Sequence, residues 1–311
     1  MKRHITIIMV AALLFAACGH RASQQRAEAI DSVENSESTT ENSESTEFAA
    51  DSIGLEREDA MASVKASVAW PTSGNETLLK NIRHYICEEL ANDPMMEGKP
   101  KVKMYEDGKS AVTARVNWQY KELSDMWKQS KEEGFGGDMS YSNFINIFVA
   151  ENAERYVTYM TNSEGFTGGA HGFASSGGVT FRKSDGKVIG YRTEIRNSGD
   201  DIVTEIKDQT LFRDAKSPKL AAVIKEGVRS YFKECMAEVD TDEQLSEQLI
   251  EVEDVNRIPL PSNAPLFTKR GLVFAYQQYE IAPYAAGMIN FIVAYDKIKP
   301  LLTDEAQSLI P

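Results

Sequence analysis

Two short segments of this chain hold residue types suited to chemistry or recognition at a surface. The first reads Gly165-Phe166-Thr167-Gly168-Gly169-Ala170-His171-Gly172. The second reads Tyr279-Glu280-Ile281-Ala282-Pro283-Tyr284-Ala285-Ala286-Gly287. In the first, one imidazole sits in a glycine-rich turn, where glycines permit positive φ and close backbone approach. An imidazole titrates near neutrality and can act as a general base when an orienting partner lies in reach. His84 is the other histidine of the region expected to fold, and it falls in a helical pattern. The sequence holds no Gly-x-Ser-x-Gly elbow and no His-Glu-x-x-His pair. His171 therefore reads first as a ring that satisfies backbone groups in a tight turn, then as a ligand contact, and last as a catalyst. In the second segment, Tyr279 and Tyr284 suit either a core or a surface that stacks on a sugar or anchors a protein. Glu280 between them can pair with a basic partner or cap a local turn. Phe166, His171, Tyr279, Glu280 and Tyr284 are thus the ligand-binding candidates. Gly168, Gly169, Gly172, Pro283 and Gly287 shape the turns. No residue is assigned a catalytic role, because carboxylates are too numerous here for spacing to single out a glycosidase pair.

The start of the chain carries a different chemistry. Lys2, Arg3 and His4 precede an apolar run, Ile5 to Ala17, broken only by Thr6. A membrane-spanning helix needs roughly 20 apolar residues, so this run is too short, and its grammar is that of a signal peptide. The run ends Leu14-Phe15-Ala16-Ala17-Cys18-Gly19. Small residues just before a cysteine resemble the bacterial lipobox, with Phe15 a small departure from the usual leucine. That resemblance implies cleavage after residue 17 and lipidation of Cys18. Lipid chains contribute about 0.8 kcal/mol per buried methylene, and more than one chain makes anchoring stable. The expected location is the bacterial envelope, on its periplasmic or cell-surface side.

Residues 18–60 follow as an expected tether. The stretch is rich in Ser, Thr, Glu, Asn and Gln, and Glu34 to Thr39 recurs at Glu41 to Thr46. Sparse apolar residues and repeated negative charge do not offset the entropy of ordering a chain. Loss of Lys2 and Arg3 with the leader takes the formal net charge from −13 to −15. Such acidity argues against nucleic acid as partner and suits a basic protein reached by electrostatic steering. Two cysteines remain, Cys87 and Cys235; both fall in helical patterns and read as buried thiols, although an oxidising compartment permits a bridge. Neither Cys-x-x-Cys nor a paired-histidine spacing is present, so no metal and no cofactor is expected.

From Met61 on, about 250 residues suffice for one large core or two smaller lobes. Val64, Ala66, Val68 and Trp70 alternate as a strand. Asn75 opens a helix through Leu78, Ile82, Ile86 and Leu90, stopped at Asn92-Asp93-Pro94. Ala111 to Val116 fits strand or helix, and Tyr120, Leu123 and Trp127 have helical spacing. Tyr141 to Ala150 and Arg155 to Thr161 read as an antiparallel strand pair, and Gly177 to Arg182 as another strand. The Asp185-Gly186 turn then predicts a return over Lys187 to Tyr191. Leu220 to Phe232 is amphipathic and starts near Ser217-Pro218, and Ser246 to Val252 reads as helical. Leu266 to Thr268, Gly271 to Gln277 and Ile289 to Tyr295 are strands, before a short C-terminal helix. The mixture predicts an α+β fold with a largely antiparallel sheet and packed helices.

Together the two segments resemble a bacterial envelope family of unknown general function. It is shared by the lysozyme-binding ectodomains of RsiV-type anti-sigma factors and the non-catalytic N-terminal region of PdaC-type peptidoglycan deacetylases. The opening strand, the helix begun at an Asn, the Gly-Gly-Ala-His turn and the Tyr-Glu-Ile-Ala-Pro-Tyr-Ala-x-Gly segment occur here in the family's order, from about Val64 onward. Phe166 stands before Thr167 where members often carry Tyr. The resemblance implies two halves, 61–165 and 166–311, packed as one unit. It implies a non-enzymatic lipoprotein that binds a lysozyme-like protein or a peptidoglycan fragment. The alternatives are a hydrolase or deacetylase acting on envelope polysaccharide, and a structural or assembly lipoprotein.

Overall fold

The structure is a computed structural model that describes residues 47–92, 102–135, 139–198 and 201–310. Cys18, the leader and the tether as far as residue 46 lie outside the described residues. The chain divides into two compact units with the boundary between Val188 and Ile189.

The N-terminal unit is a five-stranded sheet under two helices. Strand β1 (Ala49–Glu58) pairs antiparallel with β2 (Ala62–Ser73) along its whole length. Helices α1 (Glu76–Ala91) and α2 (Gly108–Glu132) follow. Strands β3 (Tyr141–Asn152), β4 (Tyr156–Phe166) and β5 (Phe173–Arg182) then form an antiparallel meander. The sheet order is β1-β2-β3-β4-β5, and the β2–β3 pair alone is parallel. Helix α1 begins at Asn75 because its side chain accepts from the N–H groups of Thr77 and Leu78, satisfying two orphan donors of the first turn. Leu78, Ile82 and Ile86 then meet Val64, Val68, Ile145, Ile147 and Tyr159 of the sheet, and α2 adds Val112, Val116 and Leu123 to the same core. Tyr159 is fully buried, with Phe48, Tyr85 and Phe181 edge-on around it and its hydroxyl on the Ala69 carbonyl at 2.9 Å.

Two expected boundaries move. The stretch 49–58 belongs to the sheet rather than to the tether, because strand pairing with β2 satisfies a backbone whose own apolar content is slight. The junction expected at 165/166 is instead a hairpin inside one sheet, since Gly165 pairs with Phe173 and Tyr156 with Arg182. A single bridge, Phe181 with Val188, represents the return strand expected after Asp185-Gly186. Cys87 is a free, buried thiol, so no bridge joins it to Cys235, which is half-buried at the end of a later helix rather than buried as expected.

The C-terminal unit opens with a ribbon of β6 (Arg192–Ser198) and β7 (Asp201–Lys207). Helices α3 (Pro218–Glu234) and α4 (Asp242–Ser246) follow. Strands β8 (Leu266–Thr268), β9 (Gly271–Ala275) and β10 (Asn290–Val293) make a three-stranded antiparallel sheet of order β10-β9-β8. Short helices α5 (Tyr295–Ile298) and α6 (Asp304–Gln307) close it. Leu220, Ile224, Val228 and Phe232 of α3 are buried, and Phe274 stacks on Phe291 at 5.1 Å. The helix expected over Ser246–Val252 lies earlier. A capping box between Thr241 and Gln244 starts α4, and it ends at Ser246. The architecture is α+β with mostly antiparallel sheets, as the residue pattern predicts.

Candidate functional site

The glycine turn joins β4 to β5 in the N-terminal unit. Gly168 and Gly169 hold φ near +91° and +92°, which L-residues rarely adopt. Gly165 and Gly172 lie back to back, so that a Cβ on Gly172 would strike the Gly165 carbonyl oxygen. This geometry carries His171 out into solvent, with Nδ1 donating to the Gly172 carbonyl at 2.8 Å. The ring thus satisfies a backbone carbonyl of its own turn. Phe166, at the end of β4, is half-buried and pairs with Ser142 of β3. Alternation along paired strands puts Phe144, Phe148 and Phe166 on the sheet face opposite Tyr159. The stripe was readable as aromatic residues at even offsets in β3.

The Tyr279 segment links β9 to β10 in the C-terminal unit, and six hydrogen bonds pin it. Tyr276 donates its hydroxyl to the Pro259 carbonyl at 2.6 Å and its N–H to Ile289 at 2.8 Å. Glu280 accepts the Ser262 N–H on Oε1 at 2.5 Å and the Gln277 N–H on Oε2 at 2.6 Å. Ile281 and Ala282 are buried, and the Ile281 carbonyl accepts from Ile250 at 2.9 Å. Pro283 leads a 3-10 turn over Tyr284–Ala286, where the Tyr231 hydroxyl of α3 reaches the Ala286 carbonyl at 2.6 Å. Gly287 ends that turn with φ near +70°.

Between the pins stands Tyr279, 55% exposed and left-handed at φ +65°. A β-carbon there costs about 1–2 kcal/mol, a strain held in place by the turn that Glu280 closes with its N–H on Gln277 at 3.1 Å. The Tyr279 ring lies 5.7 Å from that of half-buried Tyr284, tilted by 38°. The two rings are surface residues on a fixed loop rather than core. Glu280, by contrast, spends both oxygens on backbone and takes the capping role of its two sequence readings. Burial pushes its carboxyl above the usual range, while the Gln277 and Ser262 bonds pull it back. Burial, with the Glu280 charge adding to it, holds the phenols of Tyr191 and Tyr276 well above their ordinary value.

One titratable group was not singled out by motif. Glu89 of α1 lies beside Tyr85 and Thr161, and burial of its carboxyl pushes it up to about 6 against the lowering Thr161 bond. The sequence signal was a glutamate one turn after Tyr85, inside the apolar stripe of an amphipathic helix. A cavity of about 220 Å³ between the end of α1 and the start of α2 is lined by Cys87, Tyr105, Arg115 and Trp118 among others. Arg115 beside it is buried and donates to the carbonyls of Leu90 and Asn92 at 2.9 and 2.8 Å and to Asn143 Oδ1 at 3.0 Å. Among the described residues no group of His, Cys, Asp and Glu is arranged to hold a metal, and no helix is long and apolar enough to cross a membrane.

Comparison with known proteins returns family and fold. Residues 209–296 match the family model described as a protein of unknown function, DUF3298. The match contains the whole Tyr279–Gly287 segment and stops short of the glycine turn. A crystal structure of a DUF3298 family member from Bacteroides fragilis is similar over 84% of this chain and 94% of its own, with TM-score 0.62 and 19% identity. A DUF3298 family protein from Pseudomonas aeruginosa is similar over 86% of this chain and 97% of its own, with TM-score 0.49 and 13% identity. No curated protein matches the chain.

Proposed function

We propose that this chain, matched to DUF3298 over residues 209–296, is a lipid-anchored envelope protein that binds an extracytoplasmic ligand and performs no chemistry on it. The observation that carries this reading is exposed Tyr279 against half-buried Tyr284, on a strained loop held by a carboxylate that binds two backbone N–H groups. Strain maintained at a surface aromatic is a feature of recognition loops rather than of cores. Tyrosines anchor protein partners and stack on sugars, and the reading takes a lysozyme-like protein first and a peptidoglycan fragment second. The formal net charge, −15 once Lys2 and Arg3 leave with the leader, favours the basic protein through steering. Anchoring rests on the Ala16-Ala17-Cys18 signal.

Calorimetry against hen-type lysozyme tests it, with the chain freed of its leader and carrying Cys18→Ser. The strand at Ala49–Glu58 must be kept, because β2 pairs along it. Binding is expected to weaken with salt, and Tyr279→Ala to weaken it roughly thirtyfold, the loss of a single interface anchor. Absence of binding at low and at physiological salt removes the protein partner. Failure to retain peptidoglycan fragments as well would overturn the reading.

A further inference from the structure

Among the described residues, strand β1 is the outer strand of its sheet with β2 as its one neighbour, and eight of its ten residues are exposed. An outer strand presents a row of backbone donors and acceptors to another chain, and proteins blunt such edges with charge. The charges here have a particular order: Ala49-Ala50-Asp51-Ser52-Ile53-Gly54-Leu55-Glu56-Arg57-Glu58. The geometry points to β1 as a self-complementary docking edge for the β1 strand of a second copy of this chain, paired antiparallel about Gly54.

The register follows from symmetry. Along one edge, backbone groups of alternate residues point outward. Two copies related by a two-fold axis therefore pair residues of the same parity, and a residue must lie on the axis. With Gly54 there, Ile53 meets Leu55, and Asp51 meets Arg57 twice over. Leu55 is 40% exposed, which a monomer leaves uncovered. The other face brings Ser52 against Glu56 and Ala50 against Glu58, so no like charges oppose. Moving the axis to Leu55 would set Asp51 against Asp59, and moving it to Ile53 would set Asp51 against Leu55. Opposite charges directly across a strand pair stabilise it and like charges destabilise it, so the Gly54 axis is favoured over its two neighbours. Arg57 stands on the α2 side of the strand. Its guanidinium lies over the Tyr120 ring at 3.5 Å and its Nη1 donates to Asn117 at 3.5 Å, both on α2. The result is one continuous sheet of ten strands, built without using the tyrosine loop, so it stands independently of the ligand reading.

Cysteine cross-linking of the full chain, purified in detergent and mildly oxidised, is the test. A Cβ at Gly54 meets Ser67 Cβ at 3.5 Å and the Ala66 oxygen at 3.6 Å, so Gly54→Cys fits the fold. On the axis its two copies come within about 4.5–5.5 Å between Cα atoms, inside the range a disulfide spans. Glu58→Cys is the control, since its copies would lie roughly 27 Å apart. Gly54→Cys is expected to yield a covalent dimer and Glu58→Cys none. Adding Asp51→Arg to Gly54→Cys should lower the yield about tenfold, and adding Arg57→Asp as well should restore it. The proposal is overturned if Gly54→Cys links no better than Glu58→Cys, or if the link ignores Asp51→Arg. Sedimentation of the chain carrying Cys18→Ser, so that acyl chains cannot associate it, checks the native residues. A dimer whose midpoint rises about tenfold with Asp51→Arg is expected, and a monomer at every concentration overturns the pairing.

Discussion

Glu280 offers the sharpest check on how the tyrosine loop is held. Glu280→Ala strands the N–H groups of Ser262 and Gln277, which now donate at 2.5 and 2.6 Å. A buried donor left without an acceptor costs about 1–3 kcal/mol, so the pair is worth roughly 2–6 kcal/mol. Against this stands the cost of keeping a carboxylate from water, which burial signals by raising its pKa. Removing the charge returns part of that cost, leaving a local loss of about 2–4 kcal/mol. Amide exchange reads it directly: Ser262 and Gln277 should exchange roughly thirty- to a thousandfold faster, since each 1.4 kcal/mol is a factor of ten. Glu280→Gln keeps one acceptor and aims an amide at the other N–H, so it should fall between. The sign with pH follows from the raised pKa. The stability that goes with the raised pKa belongs to the protonated acid: it is fully present below the ordinary 4.5 and is lost as pH rises through the folded value. The gap between native and Glu280→Gln therefore widens on acidification. Unchanged protection at Ser262 and Gln277 in Glu280→Ala would refute the account of this loop.

Three further outcomes follow from the same physics. Glu89, pushed from 4.5 up to about 6, makes the N-terminal unit less stable as pH rises through that window, so Glu89→Gln should stabilise it by about 2 kcal/mol at pH 7 and by nothing below 4.5. Urea titration followed by tryptophan emission measures this, because Trp70, Trp118 and Trp127 all lie in that unit. Arg115→Leu leaves the carbonyls of Leu90 and Asn92 and the Asn143 amide oxygen without their donor and should cost about 3 kcal/mol in the same titration. Tyr279→Gly removes the ring yet relieves the left-handed strain, so thermal unfolding should hold or improve by about 1 kcal/mol while ligand binding weakens roughly thirtyfold; a fall in both would make the ring structural.

What could be read in advance was local. Asn75 announces α1 because a short polar side chain can reach N–H groups two and three residues on. The glycine turn announces a hairpin because Gly168 and Gly169 supply the backbone it needs. The capping box Thr241-x-x-Gln244 was equally local and marks where α4 starts, against a pattern that pointed four residues later. What escaped depended on distant partners. β1 has little apolar content and is a strand because β2 pairs with it. Glu280 could not be told apart as cap or contact, because one of its two partners, Ser262, lies 18 residues away. The exposure of Tyr279 likewise depends on the pins beneath it rather than on its own segment. The end of the hairpin unit at Val188 instead of 165 reflects a β4–β5 register that motif spacing does not encode.

The parallel seam between β2 and β3 sets an order of assembly. β1–β2 and the β3–β4–β5 meander close through short turns, so each can zip from its own loop. The seam joins Ala62 to Tyr141 and Val68 to Ile147, positions separated by the whole of α1 and α2. Such a contact must pay the closure entropy of a long loop before any bond rewards it. Two preformed β pieces should therefore meet late, on a template that the two helices have already begun to cover, and this docking rather than either hairpin should limit the rate at which the N-terminal unit acquires its core.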